Sequence, residues 1–216
     1  MKYAQRLLII CLLSSSCSFQ QQKNTDTIKM EDKPIKDSII VDCKYNFSEA
    51  TQGSKAPAEV LHQLELINVS YLSLDNKIHQ GQLLINKKIA AQAKYLFGFM
   101  LEQRFPVAKV IPIVAYNWDD KASMQDNNSY SFCYRNVDFS KHAQGLAIDI
   151  NPFFNPVRWK KGIDNRIDRP IGAVYDTTVN GTFYPEHLVV KEFEKHGFRW
   201  GHNFKRNYDD HHFEKK

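Results

Sequence analysis

Apolar positions along this chain recur with two different periods, and the changes from one to the other mark the predicted elements. From Ala56 to Ile67, the residues Val60, Leu61, Leu64, Leu66 and Ile67 fall at helical spacing and predict a helix packed on a core. Val69 to Leu74 alternates at period two, Asp75-Asn76-Lys77 reads as a turn, and Ile78 to Ile85 is a second strand-like run, so a β-hairpin is expected. Asn86 stands where it can cap the next helix, whose Ile89, Ala93, Leu96, Phe97, Met100 and Leu101 keep helical spacing, with Pro106 beyond its end. Val107 to Val114 predicts a strand, and Asp119 to Ser129 predicts a polar loop. Leu146 to Ile150 predicts a buried strand ended by Asn151-Pro152, followed by a long Pro-, Asn- and Arg-rich loop to Asp176. Pro185 to His196 predicts a helix with Glu186 near its positive end and Gly197 as its C-cap, and Phe198-Arg199-Trp200 begins a terminal strand pair. Strands and helices mix without regular alternation, which predicts an α+β fold with a small, mostly antiparallel sheet and flanking helices.

The N-terminus follows different rules. Lys2 and Arg6 frame the start of an apolar run, Leu7 to Leu13, that is too short to span a bilayer and fits a secretory signal. Ser14-Ser15-Ser16-Cys17 then resembles a bacterial lipoprotein cleavage site, although Ser14 stands where Leu is usual. The expected organisation is a signal peptide over 1–17, a polar tether over 18–43 that cannot bury a core, and a single domain over 44–216. A lipid on Cys17 would hold the domain at a cell-envelope membrane facing the periplasm; plain secretion and an uncleaved anchor are the other readings. The net charge of +5 is mild and partly belongs to the leader, and no basic run interleaved with aromatics occurs, so nucleic acid is not an expected partner. Cys43 and Cys133 are the thiols of the domain, and the sequence allows either one disulfide or two separately buried thiols.

Candidate chemistry is concentrated in two segments. Ser140-Lys-His142-Ala-Gln-Gly145-Leu-Ala147-Ile-Asp149 and Asp209-Asp210-His211-His212-Phe213-Glu214 each bring imidazole nitrogens and carboxylates. With four Cys and no CxxC pair, a closed structural zinc finger is excluded, whereas three His/Asp ligands and an open position are what a catalytic zinc uses. Three of these groups could hold one ion while a fourth carboxylate takes a proton from water. An odd separation sends His142 and Asp149 to opposite faces of a continuous strand, so a turn at Gln144-Gly145 must fold His142 back. Taken alone, a His-x6-Asp pair also reads as a structural hydrogen bond, and the C-terminal segment as a frayed end; Trp200 and Phe213 argue for docking instead.

Taken together, Ser140-x-His142-x-x-Gly145-x-Ala147-x-Asp149-Ile-Asn151-Pro152, Gly197-Phe198-Arg199-Trp200-Gly201 and Asp209-x-x-His212-Phe213-Glu214 resemble the zinc D-alanyl-D-alanine carboxypeptidase and L-alanyl-D-glutamate endopeptidase family. These are hedgehog-like peptidoglycan peptidases, and the resemblance runs from about Val69 to the C-terminus. It implies one zinc per chain held by His142, Asp149 and His212, with Asp209 as general base. It implies that Arg135 contacts a substrate carbonyl or carboxylate, and that the substrates are peptidoglycan stem peptides. A monomer is expected. His211 stands where relatives often have Pro, and strand alternation gives only one of His211 and His212 to the ion. Ser140 is expected to hydrogen-bond the ligand shell, Trp200 to be cleft wall or core, and His187, His196 and His202 to be surface or capping residues. Carboxypeptidase and endopeptidase both fit, and so does a zinc-containing cell-wall-binding module without turnover.

Overall fold

Long-range strand pairing decides most of the architecture. The computed structural model describes residues 38–137, 140–163 and 166–216, all within a unit that runs from Lys36 to Lys216. The segment expected to be a signal peptide, Cys17 and most of the expected tether lie outside the described residues. In chain order the elements are β1 (Ile40–Val41), α1 (Phe47–Thr51), α2 (Ala58–Leu61), β2 (Leu64–Leu72), β3 (Ile78–Asn86), α3 (Lys87–Glu102), β4 (Lys109–Val110), α4 (Asp120–Gln125), β5 (Asn128–Ser129), β6 (Ala147–Asp149), β7 (Val157–Trp159), α5 (Leu188–Lys195), β8 (Phe198–Trp200), β9 (Asn207–Asp209) and β10 (His212–Lys215). The fold is therefore mixed, with small sheets and flanking helices, as the pattern predicts. No helix among the described residues is long and apolar enough to cross a membrane.

The hairpin β2–β3 pairs nine positions, from Leu64 opposite Asn86 to Leu72 opposite Ile78. Asn86 then accepts a hydrogen bond from Lys88 N and starts α3. That helix buries Ile89, Ala93, Leu96, Phe97 and Met100 in one cluster with Ile67, Val69, Leu83 and Ile85 of the hairpin. The same cluster takes in Ile148, Phe193, Phe198, Trp200 and Phe213, so the strands that carry the site rest on the main core. Those strands form a second sheet in which β10 lies between β6 and β8, antiparallel to both.

Four expectations need correction. The helix expected over 56–67 ends at Leu61, because Leu64, Ile67 and Val69 serve the extended register with β3 instead; pairing of the whole strand outweighs local periodicity. The strand expected over 107–114 shrinks to Lys109–Val110, since Pro112 has no N–H to donate and a 3₁₀ turn follows over Ile113–Tyr116. The polar loop 119–129 contains α4, capped by the Asp119 carboxylate at Lys121 N and Ala122 N. The tether does not reach Cys43: Ile40–Val41 pairs in parallel with His79–Gln80, and Asp42 accepts hydrogen bonds from Tyr71 Oη and, at 2.8 Å, from His79 Nδ1. Cys43 and Cys133 are both free. Burial pushes each thiol up to about 11, so both stay protonated at neutral pH.

Candidate metal centre

His142 enters the site through a turn that only glycine closes well. A 3₁₀ turn over His142–Gln144 ends at Gly145, whose φ of 65° is left-handed. A Cβ on Gly145 would meet Leu64 Cδ2 at 2.7 Å and Asn86 N at 2.8 Å. Asn86 N donates to Gly145 O at 3.0 Å, and its Nδ2 donates to Gln144 O at 2.9 Å. The residue that caps α3 thus also pins the His142 turn. On the other side, the β6–β10 register sets His212 directly opposite Asp149, which puts the two side chains on one face.

The result is a nearly equilateral triangle of donor atoms. His142 Nε2 lies 3.0 Å from Asp149 Oδ1 and 3.0 Å from His212 Nδ1, and His212 Nδ1 lies 3.0 Å from Asp149 Oδ1. All three residues are buried. Neighbouring ligands of a tetrahedral zinc, with bonds of about 2.0–2.1 Å, sit about 3.3 Å apart, so the triangle needs to open by only a few tenths of an ångström. The remaining ring nitrogens are already used. His142 Nδ1 donates to Ser131 O at 2.6 Å, and His212 Nε2 donates to Glu214 Oε2 at 3.1 Å. Each bond leaves the opposite nitrogen's lone pair facing the triangle, as a metal-ligating imidazole requires. Electrostatics agree that the spot calls for positive charge. Burial opposes a charge on His212, but Asp149 and Glu214 outweigh it and push its pKa up to about 10. Burial likewise opposes ionised Asp149, yet His142 and His211 hold that carboxyl well below its usual range.

Glu214 is a residue that sequence reasoning quoted only as part of a pattern. It lies two positions from His212 on the same strand, hence on the same face, and is itself paired with Arg199. The His-x-Glu alternation was the available signal. Tyr130 was also missed: its ring stacks on His142 at 5.0 Å between centroids, and its hydroxyl accepts a 3.2 Å hydrogen bond from Arg135 Nη2.

Asp209 ends β9 and lines the same cleft as the three donors. Its Oδ1 is buried and has no hydrogen-bond partner among the described residues. His211 Nε2 is 3.2 Å away but not aligned to bond it. A carboxylate oxygen kept from water and left unsatisfied beside a donor triangle fits a group that waits for a water or substrate proton. Gly201 makes the juxtaposition sterically feasible. A Cβ there would stand 2.6 Å from Asp209 O, 2.8 Å from Asp209 Cβ and 3.2 Å from His212 Cβ. The neighbouring Asp210 is not available: it is buried and holds Arg158 Nε at 2.7 Å and His202 Nδ1 at 2.6 Å.

The strand argument applied to His211 and His212 fails in its premise. β10 starts at His212, and His211 sits in the turn before it, so alternation does not turn His211 away. His211 is buried, donates from Nδ1 to Asn155 O at 2.7 Å, and brings Nε2 to 3.2 Å from Asp209 Oδ1 and 3.6 Å from Asp149 Oδ2. It lies outside the donor triangle but touches both acids. Ser140 differs from expectation too, since its Oγ accepts from Ala143 N at 3.3 Å and braces the His142 turn, not the ligands. Trp200 is core, with Nε1 donating to Asp210 O at 2.8 Å. Arg135 reaches the cleft with its guanidinium held by Asp120 and Tyr130. His187 caps α5 at Val189 N, His196 pairs with Glu192, and His202 stacks on Trp200.

No curated protein and no solved structure matches the chain. A family model described as D-alanyl-D-alanine carboxypeptidase matches residues 135–215, a span that holds Arg135, the three donors, Asp209 and Glu214. Over that span, with the site residues inside it, the chain is similar to the D-alanyl-D-alanine carboxypeptidase family.

Proposed function

We propose that this protein is a zinc-dependent peptidase that cuts peptidoglycan stem peptides next to a D-amino acid, with His142, Asp149 and His212 holding the ion. The observation that carries this reading is the donor triangle, two imidazole nitrogens and a carboxylate oxygen mutually 3.0 Å apart, with the unsatisfied Asp209 oxygen in the same cleft. When bound, zinc supplies a Lewis acid that polarises a carbonyl and acidifies water. Everything else falls to the chain. Asp209 takes the proton of the attacking water at its carboxylate and returns it to the departing amine. Ser131 and Glu214 keep both imidazoles in the tautomer that exposes the ligating nitrogen. Arg135, fixed by Asp120 and Tyr130, steadies the negative charge that develops on the carbonyl oxygen. Export and a lipid on Cys17 would place this chemistry at the cell envelope, where its substrate is found.

The test is elemental analysis together with turnover of a synthetic peptide ending in D-alanyl-D-alanine. The expected result is one zinc per chain, hydrolysis lost on chelation and restored by zinc. A protein that holds zinc tightly but leaves every stem peptide intact would favour a cell-wall-binding module instead.

A further inference from the structure

The cleft has a wall that follows strict strand alternation. Val157 pairs antiparallel with Asp209 and Trp159 with Asn207. On its other side Val157 bridges Arg169, through Val157 N to Arg169 O at 2.7 Å and Arg169 N to Val157 O at 2.9 Å. Directly opposed residues of antiparallel strands project to the same face. Arg169, Val157 and Asp209 therefore form a row, and all three line the cleft. The next residue on β7 shows the other face: Arg158 packs its guanidinium on Tyr175 and Tyr208 and binds Asp210. Alternation thus sorts two arginines, one spent on internal partners and one aimed at the cleft.

Charge accounting singles out Arg169. Arg135 is already paired with Asp120. Among the described residues the Arg169 guanidinium has no ion-pair or hydrogen-bond partner, and the residue is exposed. Its neighbour Asp168 is used elsewhere, accepting from Trp159 N at 2.8 Å. Two strand spacings separate Arg169 from Asp209, about 10 Å between backbones, so a long guanidinium arm covers a group roughly one residue away from the bond at which Asp209 acts. Lys141 is the other cation at the cleft without an acidic partner among the described residues, but it adjoins His142 on the opposite segment.

We infer that Arg169 is a specificity-determining residue whose guanidinium anchors a substrate carboxylate. The inference rests on reading the cleft as a peptidase site. A planar fork of donors suits a carboxylate, whether it is the chain-terminal acid or an acidic group within the peptide. The experiment uses the zinc-loaded full chain and three synthetic D-alanyl-D-alanine peptides: free acid throughout, terminal acid amidated, and internal acid amidated. Arg169→Gln should raise KM about 10- to 100-fold on the free-acid peptide, the loss expected for a charge-assisted hydrogen bond, with kcat little changed. Arg169→Lys should recover part of it. Amidating the anchored carboxylate should impose the same penalty on wild type and remove any further effect of Arg169→Gln, and the peptide that does so identifies which carboxylate is read. An unchanged KM in Arg169→Gln, or the same rise in Lys141→Gln instead, overturns the inference. Calorimetric binding of the peptides in an Asp209→Asn background reads Arg169 without turnover. Arg169-dependent binding with no hydrolysis by wild type would therefore sink the peptidase reading while sustaining the anchor.

Discussion

Each imidazole of the donor triangle spends one nitrogen on an acceptor outside it, and that division separates metal binding from catalysis residue by residue. His142→Ala removes a donor and should abolish stoichiometric zinc by elemental analysis. Asp209→Asn leaves the triangle intact and should keep zinc while losing about 10²–10⁴-fold in kcat, the usual contribution of a positioned base. Near-normal turnover in that variant would show that Asp209 is not the base. His211→Ala should also keep zinc, because His211 lies outside the triangle, yet lower the rate by about 10- to 100-fold by freeing the Asp209 carboxylate it contacts. Loss of zinc in His211→Ala would mean that the ligand set is wrong. At this scale the sequence was highly legible: His142, Asp149, His212 and Asp209 are brought to one cleft by motifs visible in one dimension. The role of His211 was hidden because it depends on β10 starting one residue later than alternation assumed, and the burden on Glu214 because it acts through another residue.

Elements hold the site through close backbone approaches, and Gly201 makes one of them against Asp209. Gly201→Ala would drive a Cβ into Asp209 O and Cβ, so the turn at Gly201 and the end of β9 must part. The expected outcome is about 1–3 kcal/mol of lost stability by thermal or denaturant unfolding, with weaker zinc binding. Gly98→Ala is the control: nothing lies within 4 Å of a Cβ there, and in the middle of α3 the change should stabilise by about 0.5–1 kcal/mol. Equal effects of the two substitutions would contradict the steric account. The elements best read from sequence were those with local determinants, such as α3 with its Asn86 cap and α5 with Gly197 after it. Those misread were set by distant partners or by a single proline. β2 reaches back to Leu64 only because β3 offers a nine-residue register, and β4 stops short of Pro112.

For the whole molecule, what we propose is an exported domain whose site meets cell-wall peptide. Cys17→Ser should release the protein from membranes or block its maturation, read by fractionation and by the mass of the mature N-terminus. A wild-type N-terminus without a lipid would leave plain secretion as the better description. Ile40–Val41 packing on β3 shows that the ordered domain starts ahead of Cys43, so any tether is shorter than polarity alone suggested. The central claim is that one zinc site made of His142, Asp149 and His212 cuts stem peptides with Asp209 as base. Mass spectrometry of purified muropeptides digested by the zinc-loaded protein tests it most directly, with zinc-loaded Asp209→Asn alongside. The expected result is discrete peptide cleavage by wild type, either loss of a terminal D-alanine or release of a longer fragment, and almost none by the variant. Intact muropeptides after incubation with fully zinc-loaded wild type, or equal cleavage by both proteins, would contradict the account.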